Sequence, residues 1–379
     1  MSLMDLMGLT TRGTGECIIK IGGSEISEFY PNLQTSVINL NVLGSSEATL
    51  NFVTLRDDQG SWPIMEDSRF YPWKKIEIIV VFSDQQTPLF SGYIREINND
   101  LSEQGQTSTT TLVCQDDFLA MDRQVVQKNW DEQRESLDII QEIIRPYGIT
   151  LATGVSVTPV NNLQQNKTDY RFIREVADNN RFEMYLRTKT GGAIELYLGP
   201  AQTSASPSNK AILVRAGRQT NCFGFNVKFD GYLPDSITTA TLARTSPEID
   251  QSDNTPQQPL LGNQTADSSA SGLRDFQWSQ PPGHGNNQEA AEAQAQAEAE
   301  RQALKLKATG RIDGTVYGAL LMPGTLVSVA GAGTNNGDWY VKSTSHEFSS
   351  GGYVVNFELM RNASAGDEKQ VSHVLSGAL

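Results

Sequence analysis

Two pairs of adjacent aspartates are the first candidates for chemistry in this 379-residue chain, Asp57-Asp58 and Asp116-Asp117. Converging carboxylates serve glycosidases as acid and base, and they also bind calcium. However, Asp57-Asp58-Gln59-Gly60 has the composition of a turn, and Asp116-Asp117 follows an apolar strand pattern that it can cap. We therefore interpret both pairs as structural and keep a carboxylate-based cell-wall hydrolase as an alternative function.

Other catalytic and metal-binding patterns are incomplete. HEFSS at 346–350 begins like the zinc motif H-E-x-x-H but ends in Ser350 instead of a histidine. The segment also has the pattern of a strand, so we predict that His346 lies at a strand end. Gly331-Ala332-Gly333 lacks the third glycine of a dinucleotide fingerprint and predicts a turn. The histidines are scattered, and the three cysteines lie in apolar segments typical of buried reduced thiols. We predict no enzymatic activity, no catalytic residue, no metal site and no cofactor.

The charge of the chain excludes a further class of partner. Lys and Arg total 30 against 44 Asp and Glu, a net charge of −14 that repels phosphate and argues against nucleic-acid binding. The longest apolar run, Ile76–Phe82, contains Glu77 and is shorter than the roughly 20 residues that cross a bilayer. Asp5 stands where a signal peptide is basic. We expect neither a signal peptide nor stable membrane insertion.

Residues 1–125 predict an N-terminal β-barrel domain. Val, Ile, Thr and aromatic residues form short runs between Gly, Asn, Asp and Pro clusters, as in small sandwiches and barrels. The predicted strands are Glu16–Ile21, Thr35–Val42, Ala48–Leu55, Lys74–Phe82, Leu89–Ile97 and Thr107–Cys114.

Residues 126–240 predict a mixed unit of helices and a hairpin. Ser136 can cap a helix over Leu137–Ile144, and Thr168 can cap a second over Asp169–Asp178. Arg181–Arg187 and Ala193–Leu198 then form a hairpin. A further strand pair is predicted at Ala211–Arg215 and Cys222–Phe229.

The rest of the chain divides by composition. Residues 241–288 are poor in apolar residues and rich in Ser, Gln and Pro, which predicts a linker or a long loop. Residues 289–310 are Ala- and Glu-rich and predict a helix that ends at Gly310. Residues 311–363 predict a second small β barrel, in which Tyr353, Val355, Phe357 and Leu359 share one face, and 364–379 predict a flexible tail.

Two segments together resemble a known family. Residues 167–186 read KTDYRFIREVADNNRFEMYL, and the C-terminal segment contains LLMPGTLVSV at 320–329, GDWYVKSTSHEF at 337–348 and GGYVVNFEL at 351–359. Both resemble the late control protein D family of contractile-tailed phages, which are baseplate hub proteins similar to the hub part of type VI secretion spike proteins. The order of β region, helix-hairpin unit, linker, helix and β region agrees along most of the chain.

The resemblance implies a mostly β, α+β fold with two tube-protein-like β barrels around a helix-hairpin domain. It implies a homotrimeric ring with a central channel, which adapts a three-fold spike to a six-fold tail tube in a phage or tail-like injection machine. The implied partners are the tail tube protein, the central spike protein, the baseplate wedge proteins and the tape measure protein. The implied location is the tail baseplate, after assembly in the bacterial cytoplasm.

A third function also fits the composition. A tail-associated adhesin or receptor-binding module can have several barrels rich in Ser and Thr, although the helix-hairpin motif argues against it. Trimerisation and binding to a tube protein distinguish the hub from the adhesin, which binds cells or glycans by itself, and from the hydrolase.

Overall fold

The computed structural model describes residues 15–82, 85–102, 107–130, 135–152, 164–242, 249–267, 275–280 and 288–364. Strand makes up 48% of the structure and helix 20%, so the prediction of a mostly β protein is confirmed.

Twenty-three strands follow one another along the described chain. They are β1 Glu16–Ile21, β2 Ser24–Glu25, β3 Leu33–Asn41, β4 Glu47–Val53, β5 Lys75–Phe82, β6 Gln85–Asp100, β7 Thr109–Asp116, β8 Val125–Asn129, β9 Ile149–Leu151, β10 Gln164–Thr168, β11 Glu183–Thr188, β12 Ile194–Gly199, β13 Ile212–Leu213, β14 Cys222–Phe229, β15 Ser236–Leu242, β16 Ile249–Asn254, β17 Gln264–Thr265, β18 Gln277–Gln280, β19 Leu306–Asp313, β20 Leu326–Ala330, β21 Gly337–Ser349, β22 Gly352–Arg361 and β23 Ala363–Ser364. The α-helices are α1 Pro63–Glu66, α2 Phe118–Met121, α3 Ser136–Ile144, α4 Asp169–Asn179, α5 Gln288–Gln302 and α6 Gly314–Tyr317.

One 13-stranded sheet contains both predicted β regions. Its order is β14-β19-β22-β21-β3-β4-β7-β6-β5-β1-β2, with β20 on β21 and β13 on β20. The antiparallel pairing of β3 with β21, where Ile38 lies opposite His346, joins the N-terminal strands to the C-terminal strands. The strands of both predicted β regions therefore belong to one sheet that is not closed, and the prediction of two barrels is not confirmed.

One hydrophobic core lies under this sheet and draws side chains from both ends of the chain. Alternate residues point into it because side chains alternate across a strand. In β22, for example, Tyr353, Val355, Phe357 and Leu359 are all buried, as the sequence pattern predicts. The N-terminal Ile19 and Leu50 belong to the same core as the C-terminal Trp339.

The helix-hairpin unit has its own core. Helix α4 buries Phe172, Ile173, Val176 and Ala177. The Oγ1 of Thr168 accepts a hydrogen bond from the Arg171 backbone N–H at 3.3 Å, which confirms the predicted cap. The hairpin of β11 and β12 packs against this helix, and β9 pairs in parallel with β12.

Two local predictions in this unit were wrong. Ser136 is the first residue of α3, preceded by an extended Glu135 that makes no side-chain cap bond. The segments Ala211–Arg215 and Cys222–Phe229 do not form a strand pair. Instead β13 pairs with β20 and β14 pairs with β19, since both strands complete the large sheet.

The predicted linker at 241–288 contains regular structure. Strand β15 pairs with β16 on one side and, in parallel, with β18 on the other. The polar composition of this segment did not predict these strands, whose backbone groups form hydrogen bonds with one another. The Thr238 hydroxyl also donates to Asp253 Oδ1 at 2.6 Å. The linker prediction is therefore wrong for 249–254 and 277–280, whereas 243–248, 268–274 and 281–287 lie outside the described residues.

The Ala/Glu-rich helix ends earlier than predicted. Helix α5 stops at Gln302, and its Ala295 and Ala299 pack on Ile237 of β15. Residues 306–310, predicted as helix, belong instead to β19, because burial in the sheet outweighs their helix propensity. Gly310 lies within this strand, where a Cβ would approach the Gly224 carbonyl oxygen to 2.2 Å.

A buried arginine ties the loop before β17 to the large sheet. The Arg361 side chain is fully buried, and it donates to the Leu261 carbonyl from Nε and Nη2 at 3.0 and 2.8 Å. Its Nη1 donates to the Asn336 carbonyl at 2.9 Å, and burial lowers its pKa to about 10. The predicted flexible tail lies outside the described residues beyond Ser364, and the predicted domain boundaries stay predictions.

Candidate functional site

The first acid pair forms a turn. Asp57 Oδ1 accepts the backbone N–H groups of Gln59 and Ser61 at 2.9 and 2.8 Å, and the Gly60 N–H donates to the Asp57 carbonyl. This side chain therefore stabilises the loop after β4, as the turn interpretation predicts.

The second acid pair is occupied by structural contacts. Asp116 is buried and accepts from Ser45 Oγ at 2.6 Å, from the Ser46 N–H at 2.7 Å and from the Phe118 N–H at 3.2 Å. Burial raises its pKa to about 7. Asp117 forms an ion pair with Lys75. The cavity beside the two aspartates has a volume of about 20 Å³, which leaves no room for a sugar.

His346 lies in the interior of β21, so the prediction of a strand-end histidine was wrong. Its Nδ1 is 2.7 Å from the Tyr353 hydroxyl and its Nε2 is 3.1 Å from Thr344 Oγ1. Complete burial lowers the pKa of the imidazole to about 3, and the ring is neutral at physiological pH. This histidine supports the contact between β21 and β22.

The remaining candidates are likewise structural. Gly331 and Gly333 have positive φ angles and form a turn that leads into a short 3-10 helix. All three cysteines are free thiols, with Cys114 and Cys222 buried and Cys17 partly buried. Within the described ranges, no group of three or more His, Cys, Asp or Glu side chains converges.

The structure instead brings together the two segments that carry the family resemblance. Tyr340 of β21 donates its hydroxyl hydrogen to the Glu183 carboxylate at the start of β11. Burial raises the pKa of Glu183 to about 8. The backbone N–H of Met184 donates to the Val42 carbonyl at 3.0 Å, so the hairpin also contacts the end of β3. We call this contact between the helix-hairpin unit and the sheet the junction.

Aromatic and cationic side chains extend the junction. The rings of Tyr185 and Tyr197 lie 5.1 Å apart, and the Arg187 guanidinium lies 5.0 Å from one ring and 5.1 Å from the other. Arg187 also donates to the Gly324 carbonyl at 3.3 Å. At Gly324 φ is 76°, and a Cβ would approach the Tyr185 hydroxyl oxygen to 1.9 Å. Sequence reasoning missed these contacts, although the N-R-F-E and P-G patterns marked both sides of them.

A second surface lies on the exposed face of the sheet, where residues of five neighbouring strands lie opposite one another in two rows. Its two polar rows are Asn39, Ser345, Asn356, Arg311 and Gly224, and Asn41, Ser343, Glu358, Thr309 and Asn226. They line a shallow groove of about 680 Å³. The rows contain one arginine and one glutamate, so their charges balance.

A family model matches most of the chain. The model is described as the Alg8 N-terminal domain, and it matches residues 11–350. The chain belongs to this family. No curated protein sequence matches it.

Solved structures of phage tail proteins share the fold of this Alg8 N-terminal domain family member. The 43 kDa tail protein of prophage MuSo2 from Shewanella oneidensis is 16% identical, with a TM-score of 0.64 and coverage of 92% of this chain and 98% of that one. A tail protein from Neisseria meningitidis is 13% identical, with a TM-score of 0.66 and coverage of 93% and 97%.

A type VI secretion protein has the same fold. An E. coli component of that system, described as structurally similar to phage T4 tail proteins, is 12% identical, with a TM-score of 0.56 and coverage of 91% of this chain and 77% of that one. The resemblance to phage tail and type VI secretion proteins is thus confirmed for the fold. No helix in the described part of the chain is both long and apolar enough to span a bilayer.

Proposed function

We propose that the protein is the central hub of a contractile baseplate, in which three copies form a ring that connects a three-fold spike to a six-fold tail tube. The observation that carries this proposal is the β3–β21 pairing, which sets two β regions side by side in one sheet. Each chain then offers two tube-like units, and three chains offer six. The fold that the chain shares with phage tail proteins supports the same role.

The junction holds these two regions in a fixed relation. Glu183 contacts the C-terminal strands through Tyr340, while Met184 contacts the N-terminal strands through Val42. A hub that presents two tube-like units to one tube needs such rigidity, because both units must meet the tube at the same height.

The polar rows on the open sheet face are suited to a channel wall. They expose Asn, Ser and Thr side chains with one Arg and one Glu, so that neither DNA nor a polypeptide meets a strongly charged surface there. In the proposed ring this face lines the channel.

The ends of the sheet are suited to contacts between copies. Among the described pairings, β14 at one end of the sheet pairs only with β19. At the other end, β1 pairs with β5 on one side and with β2 on the other, but with β2 only at Lys20 and Ile21. Unpaired strand edges favour association, and two different edges at opposite ends allow a head-to-tail ring. Phe223 of β14 is 67% exposed, which adds an apolar side chain to that edge.

The proposed partners are those of a hub. They are the tail tube protein above, the central spike protein below, the baseplate wedge proteins around the ring and the tape measure protein in the channel. The proposed location is the baseplate of the virion or tail-like particle. The proposed role is not enzymatic, in keeping with aspartates that serve turns and ion pairs.

Light scattering tests the proposal. The purified chain, with and without the tube protein of the same gene cluster, is expected to form a species of three times 41.6 kDa. Phe223→Lys is expected to weaken this species, whereas Val125→Lys, which changes an exposed residue of β8, is the matched control. A chain that stays monomeric at all concentrations, even with tube protein, contradicts the hub.

A further inference from the structure

An exposed turn precedes β5 and has an unusual residue at its centre. The Lys74 backbone N–H donates to the Tyr71 carbonyl at 3.3 Å, so Pro72 and Trp73 are the two central residues of the turn. A proline followed by a residue with positive φ is typical of a type II turn, and the φ of Trp73 is 69°. Glycine is favoured at this second position because a Cβ strains a left-handed backbone. The chain instead has a tryptophan there, which has the largest of all side chains.

Burial of the indole does not offset this strain. Trp73 is 47% exposed, and Tyr71 at the start of the turn is 55% exposed. Strand β6 holds the backbone in place, because the Trp73 N–H donates to the Ile94 carbonyl at 2.7 Å and the Lys74 carbonyl accepts the Ile94 N–H at 3.0 Å. A strained backbone that fixes an exposed aromatic side chain indicates a contact with another molecule.

A guanidinium group lies over the indole. The Arg123 side chain, from the turn between α2 and β8, places this group 4.2 Å from the centre of the Trp73 ring, a cation–π contact. Such stacking uses the flat face of the guanidinium and leaves the N–H groups at its edge available for two parallel hydrogen bonds to a carboxylate. Arg123 is exposed, and its N–H groups have no hydrogen-bond partner among the described residues.

No ion pair within the described ranges neutralises the two cations of this surface, Arg123 and Lys74. The carboxylates that follow β7 are occupied by other cations. Asp117 pairs with Lys75, and Asp122 pairs with Arg171 at 3.2 Å. In a chain with a net charge of −14, the turn therefore offers two positive charges that have no carboxylate in contact.

We propose that the turn at 71–74, together with Arg123, binds an acidic segment of a partner protein. One carboxylate of that segment accepts from the edge of the Arg123 guanidinium, a second pairs with Lys74, and an apolar side chain contacts Tyr71 and Trp73. Trp, Tyr and Arg are the residues that contribute most to binding in protein interfaces. The net negative charge of the chain repels an extended anionic surface, such as a membrane, more strongly than it repels one acidic segment.

Binding of a labelled peptide tests this site on the full-length protein. The probe is a fluorescein-labelled peptide that repeats Asp-Glu-Leu, and the control peptide repeats Asn-Gln-Leu, which has nearly the same shape but no charge. Fluorescence anisotropy is expected to show binding of the acidic peptide only. Trp73→Gly and Arg123→Gln are each expected to bind it about tenfold more weakly, a loss of 1.4 kcal/mol. Because glycine relieves the backbone, Trp73→Gly is expected to unfold at a temperature no lower than that of the wild type.

A matched control changes the same residue types elsewhere on the surface. The double variant Trp278→Ala with Arg95→Gln removes an exposed tryptophan and an arginine outside the turn, and it is expected to bind like the wild type. Equal binding of both peptides, equal loss in the control variant, or no binding at all overturns the proposal. So does a clearly lower unfolding temperature of Trp73→Gly, which would assign the indole to the fold, or binding to anionic phospholipid vesicles that Trp73→Gly abolishes. The site lies within one chain, so each of these results leaves the light-scattering test of the hub unaffected.

Discussion

We expect Glu183→Gln to stabilise the protein above neutral pH and to leave its stability nearly unchanged near pH 5. Burial raises the pKa of Glu183 from 4.5 to about 8. Between these values the folded protein keeps a proton that the unfolded chain has lost, so stability falls as pH rises. At 1.36 kcal/mol per pKa unit the full loss is about 5 kcal/mol above pH 8, and about 3 kcal/mol at pH 7.

Glutamine separates the titration from the hydrogen bond. Its side-chain oxygen can still accept from the Tyr340 hydroxyl, whereas it carries no proton that titrates. Urea unfolding of both proteins at about pH 5, 7 and 9 therefore measures the contribution of one carboxyl group. Glu47→Gln, which removes an exposed carboxylate, controls for the change in net charge. If the wild type and Glu183→Gln give parallel curves of stability against pH, the reasoning is refuted.

Two further substitutions test the packing. Gly324→Ala is expected to lower the free energy of unfolding by about 2–5 kcal/mol, because the new Cβ clashes with Tyr185 and the backbone there is left-handed. The control is Gly191→Ala, at a position that is also left-handed but has open space around it. Thermal unfolding is expected to show a loss of only about 1–2 kcal/mol for this control. Arg361→Met is expected to cost about 2–4 kcal/mol in urea unfolding because it leaves buried carbonyls unpartnered; a loss under about 0.5 kcal/mol would show that these carbonyls find other donors.

Local patterns in the sequence predict local structure well in this protein. The Thr168 cap and the apolar stripe that follows it define α4, because both signals lie within one helical turn of the residues they organise. The alternation from Tyr353 to Leu359 likewise predicts the buried face of β22. The residues just before Gly310 contain Lys and Ala, which favour a helix, yet they form a strand. Burial in the tertiary structure decides between the two.

The site depends on contacts that no local pattern encodes. Glu183 and Tyr340 each look ordinary in sequence, a glutamate after a helix and an aromatic residue in a strand. They meet because β21 pairs with β3 and the hairpin contacts the end of β3 through Met184 and Val42, and strand propensity does not specify such partners.

The β3–β21 pairing also constrains how the chain folds as it leaves the ribosome. Strand β3 has β4 as one neighbour, but its other neighbour, β21, is synthesised only after the whole segment between Asn41 and Gly337. Contacts between such distant parts of a chain slow folding. Until β21 arrives, the early strands present a bare edge on which nascent chains can aggregate. By pairing with β3, strand β21 removes this exposed edge. A truncation before β21 is therefore expected to yield insoluble protein.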